Sequence, residues 1–461
     1  MLYSSTRGED NNRSFTDVLL NGLASDGGLY IPNSIPFYNK RELKLLSKLS
    51  YHELAFELTK QYLSQDIPEN EYKKICKKTY EHSFGKEVIS IIRLNENEFI
   101  SNLFHGPTFA FKDFALQLLG NIYEFVLNEK KINLTIIGAT SGDTGSAAIN
   151  GCSKSRRIKM FILFPEGKVS EVQRKQMTTF LKSNVLNIAV RGNFDDCQKL
   201  VKDFFKMNNE NRKINLAAVN SINWVRIMGQ IVYYFWSYFR VCKNLDKLSF
   251  VVPTGNFGNA YAGYISKKMG LPIEKLVVGS NKNDILTRFF KTGKMSSRKA
   301  QKSLSPSMDI QVSSNFERLL YDFYNDGEII KKIFLQLEAT GKFEIPKEKL
   351  KDINLIFESG KLGDKETINT IKFFKEKYNI IIDPHTAVGC SVGNKRLPKS
   401  KKRVYLATAH YAKFLNTVKQ SLSIDIDYPQ KLKYLFNKKE EFYSIENNID
   451  KLKELIMKKI L

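Results

Sequence analysis

The chain has 461 residues, 42% of them hydrophobic, and a formal net charge of +24, which allows a large core and two or three domains. No window is long and apolar enough to span a bilayer, since Ile231–Phe239 is too short and reads as a buried helix, so no membrane partner is expected. The basic residues are spread along the chain in pairs such as Lys73-Lys74, Lys267-Lys268 and Lys331-Lys332, without the clustered footprint of a nucleic-acid partner, although such a surface still attracts an anionic substrate.

At the start, Glu9 and Asp10 lie close to Arg7 and Arg13 with no apolar run, so neither a signal nor a transit peptide is expected. Cys76, Cys152, Cys197, Cys242 and Cys390 are scattered and lack Cys-x-x-Cys spacing, which predicts reduced thiols in a cytoplasm and no metal. The first hundred residues show helical patterns at Lys40–Leu49 and Tyr51–Tyr62 and are expected to lack strands. Strand-like runs then alternate with helices: Leu134–Ile137, Lys159–Phe164, Val185–Val190, Leu216–Asn220, Phe250–Pro253, Leu276–Gly279, Ile380–Asp383 and Val404–Thr408. That order predicts βαβ units around parallel sheets. The tail from Leu415 carries apolar residues at helical spacing and is expected to pack on the surface.

Three segments carry chemistry. Phe104–Gln117 places Lys112 among Phe109, Phe111 and Phe114. Such a lysine either snorkels to water or is desolvated into a neutral amine, a nucleophile for a carbonyl. Ile136–Ala148 reads as strand, small-residue turn and helix, in which the hydroxyls and amides of Thr140, Ser141, Gly142, Asp143 and Thr144 suit a carboxylate or phosphate unless Asp143 or Ser141 simply caps the helix. Leu248–Ile265 repeats that order around Gly255, Asn256, Phe257, Gly258 and Asn259, a turn whose free N–H groups suit a phosphate unless it is an ordinary turn. It is neither Gly-x-Gly-x-x-Gly nor a P-loop, which disfavours dinucleotides and ATP. Arg226, after Asn220-Ser221-Ile222-Asn223 and at the start of an apolar helix, suits a substrate phosphate or an ordinary salt bridge. Thr408 ends a strand as a cap or as a ligand contact. His105, His385 and His410 read as hydrogen-bonded structural groups.

A buried amine with two anion cups is what a pyridoxal-phosphate enzyme requires. His105–Asp113, Ala139–Gly145 and Gly255–Asn259 resemble the cofactor-lysine, substrate and phosphate motifs of the threonine synthase family of fold-type-II pyridoxal-phosphate enzymes. Tyr3–Gly8, Gly22–Pro32, Ser221–Arg226, Ser305–Ile310 and Asp383–Gly389 are similar to further family segments in order, so the resemblance runs from about residue 3 to about residue 414. One departure is Tyr411, where the family usually has proline.

The resemblance implies a tryptophan-synthase-β-like α/β fold with parallel open sheets in two domains and the active site between them. A helical N-terminal part (1–95) would precede the cofactor-lysine segment (96–130) of the large domain. A smaller α/β substrate domain (131–224) and a large cofactor domain with a helical tail (225–461) would follow. It implies pyridoxal 5'-phosphate on Lys112, its phosphate on Gly255–Asn259, and Thr408 at the pyridine nitrogen. Substrate would meet Thr140, Ser141, Gly142, Asp143, Thr144, Asn223 and Arg226. The implied reaction turns O-phospho-L-homoserine and water into L-threonine and phosphate, Lys112 moving protons at Cα, Cβ and Cγ, in a monomer or homodimer. The alternatives are a related phospho-lyase or threonine/serine dehydratase releasing a keto acid, or a retired interaction protein.

Overall fold

Apolar runs buried along their whole length belong in the middle of parallel sheets, where helices cover both faces. The computed structural model, which describes residues 1–63, 65–211 and 214–460, contains two such sheets. The larger has six strands in the order Phe357–Lys361, Ile273–Ser280, Leu248–Pro253, Arg403–Ala407, Glu98–Asn102 and Ser90–Arg93. All its pairs are parallel except the last. Its two central strands, Leu248–Pro253 and Arg403–Ala407, are buried at every residue. The smaller sheet has five parallel strands in the order Tyr443–Glu446, Val185–Arg191, Ile158–Pro165, Leu134–Ala139 and Leu216–Ala218.

Three expectations change. Ile380–Asp383 is extended but pairs with no strand among the described residues. Asp383 instead caps helix Pro384–Arg396, its carboxylate accepting the N–H groups of His385 and Thr386, and the residue before a proline is extended in any case. The first hundred residues hold the helices Phe15–Asn21, Lys40–Leu46, Tyr51–Leu63 and Glu69–His82, but also short strands. Tyr3–Ser5 pairs with Tyr30–Pro32, and the edge strand Ser90–Arg93 joins the larger sheet; strands this short leave little periodicity to read. The tail, placed with the large domain from sequence, completes the smaller sheet. Tyr443–Glu446 pairs with Val185–Arg191, and Leu452 and Ile456 of the last helix pack with Cys197, Leu200 and Phe204. An open sheet edge is thereby covered.

Helices Lys112–Lys130 and Asp143–Cys152 lie side by side, and their contact is backbone on backbone. A Cβ on Gly120 would fall 2.1 Å from the Gly151 carbonyl oxygen, so neither helix tolerates a side chain there. Helix Trp224–Val241 packs on the same bundle and is buried almost all round, with Phe114 edge-on to Tyr233 at 5.6 Å. All five cysteines are free and buried. Among the described residues, no helix is long and apolar enough to cross a membrane and no His, Cys, Asp or Glu cluster is arranged to hold a metal.

Candidate active site

Lys112 is the first residue of its helix, and the loop before it is held rigidly. The Asp113 carboxylate accepts the N–H and hydroxyl of Thr108 at 2.8 and 2.7 Å, and Phe109 takes a left-handed φ of 60°. Phe111 N–H donates to the Thr408 carbonyl (2.9 Å) and His410 N–H to the Phe109 carbonyl (3.1 Å). These bonds tie the lysine loop to the end of strand Arg403–Ala407 and bring Thr408 beside it, where open α/β sheets place their ligands. Burial pushes Asp113 up to about 6, against its bonds to Thr108.

The Lys112 ammonium is largely buried and donates to Asp143 Oδ2 at 3.3 Å. Burial pushes its pKa below the usual lysine range; Asp143 opposes that shift, while Lys413 and Arg226 add to it. The sequence reading of a desolvated amine thus describes the side chain better than snorkelling. Asp143 sits at the centre of a donor shell: Lys413 Nζ at 2.8 Å and Gln173 Nε2 at 2.8 Å on Oδ1, Lys112 and Ser307 Oγ (3.0 Å) on Oδ2. Burial alone would raise its pKa, but Lys413, Lys112 and Gln173 hold it well below the carboxylate range. Its carboxylate therefore faces two lysines and two neutral donors.

Neither Ser141 nor Asp143 caps helix Asp143–Cys152, whose N-cap is Gly142 at φ 127°. Thr140 does the capping, its buried hydroxyl accepting the N–H groups of Gly142 (2.9 Å) and Gly145 (2.8 Å). Ser141 and Thr144 remain half-buried at the rim. Asn223 caps helix Trp224–Val241 through Val225 N–H (3.0 Å) and donates to the Leu19 carbonyl (3.1 Å), so structural bonds occupy its amide.

Arg226, one turn into that helix, is 3% exposed. Its Nη1 donates to the Asn220 carbonyl at 3.2 Å, while its Nε has no partner and no carboxylate pairs with it among the described residues. Burial pushes it down to about 10. A buried guanidinium without a counter-anion is costly, and this one lies close enough to Lys112 to disfavour its ammonium.

The turn Gly255–Asn259 turns its carbonyls inward. The Gly255 carbonyl accepts from the Ser313 hydroxyl, and the Asn256 carbonyl from Asn315 N–H (3.1 Å) and Nδ2 (3.2 Å). Phe257 holds a φ of 63° as N-cap of helix Gly258–Lys268, and no side chain caps that end among the described residues. The first-turn N–H groups therefore have no side-chain cap, the arrangement that suits an anion. Asn259 Oδ1 accepts from Tyr233 and Tyr234 at 2.6 and 2.9 Å, while its buried Nδ2 is unpartnered. A Cβ on Gly255 would lie 2.8 Å from the Ser307 carbonyl. Ser307 thus touches the Gly255–Asn259 turn with its backbone and Asp143 with its side chain, which brings the three motifs together. A cofactor needing an amine, a phosphate cradle and a polar group for its ring fits Lys112, this turn and Thr408.

Sequence reasoning missed Lys413, Ser307, Gln173 and Asn315 as site residues. Lys413, in the aromatic stretch His410–Phe414, carried the same buried-lysine signal as Lys112. Tyr411 opens the 3₁₀ turn Tyr411–Phe414, a first position where proline's missing N–H costs nothing, so tyrosine keeps the same turn. Burial pushes His410 down to about 4, and its neutral ring accepts the Ala412 N–H, a structural role.

Fold and site together define a pyridoxal-phosphate-dependent enzyme, and residues 91–332 match the family described as pyridoxal-phosphate dependent enzyme. Residues 2–80 match the threonine synthase N terminus and residues 386–456 the threonine synthase C-terminal family. The chain is 43% identical over 459 residues to a threonine synthase of Pseudomonas aeruginosa, covering 99% of this chain and 98% of that one. It is 42% identical to that of Saccharomyces cerevisiae, covering 96% and 95%. Among solved structures, a pyridoxal-phosphate-bound threonine synthase of Brucella melitensis superposes with a TM-score of 0.96 at 40% identity, covering 100% of this chain and 99% of that one. The chain belongs to the threonine synthase family.

Proposed function

We propose that the chain converts O-phospho-L-homoserine and water to L-threonine and phosphate, with pyridoxal phosphate on Lys112. Bound pyridoxal phosphate supplies an electron sink for bond breaking at an amino acid's Cα. Lys112, with a lowered proton affinity, takes and returns protons at Cα and at the neighbouring carbons. The N–H groups of Gly255–Asn259 would hold the cofactor phosphate, and the Thr408 hydroxyl would serve the ring nitrogen. A hydroxyl there, unlike a carboxylate, would not hold the ring nitrogen protonated, which would favour elimination and replacement over transamination. Ser141 and Thr144 offer the substrate carboxylate their hydroxyls, Thr140 and Gly142 shape that turn through their own bond, and Asn223 fixes the helix that carries Arg226. Asp143, beside its expected place at the substrate, orients Lys112.

Arg226 carries the choice of substrate. Its buried guanidinium lacks an anion among the described residues, and a phosphorylated amino acid brings a second, side-chain anion beside its carboxylate, whereas threonine or serine brings the carboxylate alone. The test is product analysis with O-phospho-L-homoserine: threonine and phosphate should appear in equal amounts. A keto acid with ammonia would overturn the reading in favour of a lyase.

A further inference from the structure

Asp143 is paired unequally with two lysines. Lys413 has no exposed side-chain surface and lies 2.8 Å from Oδ1, whereas Lys112 lies 3.3 Å from Oδ2. Lys413 also donates to the Thr108 carbonyl at 2.8 Å, the residue whose N–H and hydroxyl are held by Asp113. It is therefore fixed at two points, one in the lysine loop and one on the substrate-loop helix. Lys112 has no other hydrogen-bond partner among the described residues, beyond a 5.4 Å approach to the Phe111 ring.

A buried carboxylate facing a single lysine would hold that lysine as an ammonium, because losing the proton would strand an unpaired anion. A second lysine, fixed in place by two bonds, removes that constraint. We propose that Lys413 is a positioning residue, the fixed counter-cation of Asp143, which lets Lys112 give up its proton without leaving a buried carboxylate unpaired.

The other charged groups facing this centre agree with that division. Arg226, on the third helix, is a cation that disfavours the Lys112 ammonium, and Asp113 is held by Thr108 rather than by Lys112. Gln173 and Ser307 bring neutral donors to Asp143. His385 reaches only the Ser307 N–H, its other nitrogen being paired with Asp383 at 2.8 Å. The inference rests on Lys112 as the cofactor lysine, as proposed above.

The test uses the full chain stripped of cofactor, with competitive acetylation and peptide mapping reporting the pH at which Lys112 becomes half-maximally reactive. In Lys413→Met, Asp143 turns to Lys112 alone. The midpoint should rise by about one unit or more, which is about tenfold less neutral amine at a given lower pH, and the acidic limb of the kcat profile should move the same way. Lys413→Arg should keep the parental midpoint to within a few tenths, and Lys413→Met/Asp143→Asn should return it toward the parental value. If Lys413→Met does not fold, Asp143→Asn alone decides, since Lys112 then faces only cations and its midpoint should fall. An unmoved midpoint in every variant that folds would overturn the proposal, as would activity lost without a pH shift. Failure of borohydride to fix pyridoxal phosphate on Lys112 of the parent would instead strike the underlying reading, so the two failures are distinguishable.

Discussion

Gly120 and Gly151 meet backbone to backbone, each the same number of residues below the charged head of its helix, Lys112 and Asp143. The ion pair at the top is therefore set by a contact well below it. A Cβ at Gly120 would lie 2.1 Å from the Gly151 oxygen and 2.5 Å from its carbon, both backbone atoms of a packed helix. Gly120→Ala should push the helices apart at a cost of about 1–3 kcal/mol of stability, as overpacking does. Activity should fall more than stability predicts, because Lys112 loses its register with Asp143. Thermal melting and kcat/KM on the same preparation check this, and an unchanged kcat/KM would show that the contact does not set the pair.

Lys112→Ala should abolish turnover while the protein still folds, since a methyl group neither condenses with an aldehyde nor carries a proton. Borohydride reduction of the parent with pyridoxal phosphate should place the label on Lys112. Label on the buried Lys413 would reassign the amine.

What the sequence showed was local. Lys112, the Thr140 turn and the Gly255 turn were legible because a strand, a small-residue turn and a helix are contiguous, and the chemistry follows from where the N–H groups point. The shell around Asp143 was not, because Ser307 and Lys413 arrive from other elements and only the fold brings them in. The carboxylate, read from sequence as a cap or a substrate contact, does not cap its helix and is the partner of two lysines. Strand Tyr443–Glu446 escaped because an edge strand of four residues is defined by the neighbour it covers. Ile380–Asp383 shows the reverse: an apolar extended run with no strand to join.

Glu440 fastens that tail strand to the smaller sheet's helix Glu171–Thr178. It bonds Arg174 at 2.8 and 3.0 Å, Lys175 at 3.1 Å and the Thr178 hydroxyl at 2.6 Å. Arg174, with Thr178 and Lys175, holds its pKa down to about 2 against the opposing effect of burial. A folded-state pKa below the unfolded one gives stability that is present above the ordinary glutamate value of about 4.3 and is lost as pH falls toward the folded value. Amide exchange across 441–446 should thus quicken between about pH 4.5 and 2, and Glu440→Gln should show faster exchange there already at neutral pH. Equal exchange in the two proteins at pH 7 would remove the clasp.

Arg226 sets function against stability. Its guanidinium is buried, short of a partner at Nε, and pushed down to about 10 by burial. Arg226→Met fills a similar volume without the desolvated charge, so the cofactor-free protein should melt at the parental temperature or above it. Cofactor affinity should be unchanged, because the turn Gly255–Asn259 is intact. Turnover of O-phospho-L-homoserine should fall steeply, since a charge-assisted bidentate pair worth roughly 1.5–3 kcal/mol or more is gone. A slow side reaction on a non-phosphorylated amino acid should persist, as that substrate never used the guanidinium. If both activities fell together with the melting temperature, Arg226 would be organising the helix end through Asn220. If neither fell, the half-buried hydroxyls of Ser141 and Thr144 would be the phosphate ligands instead.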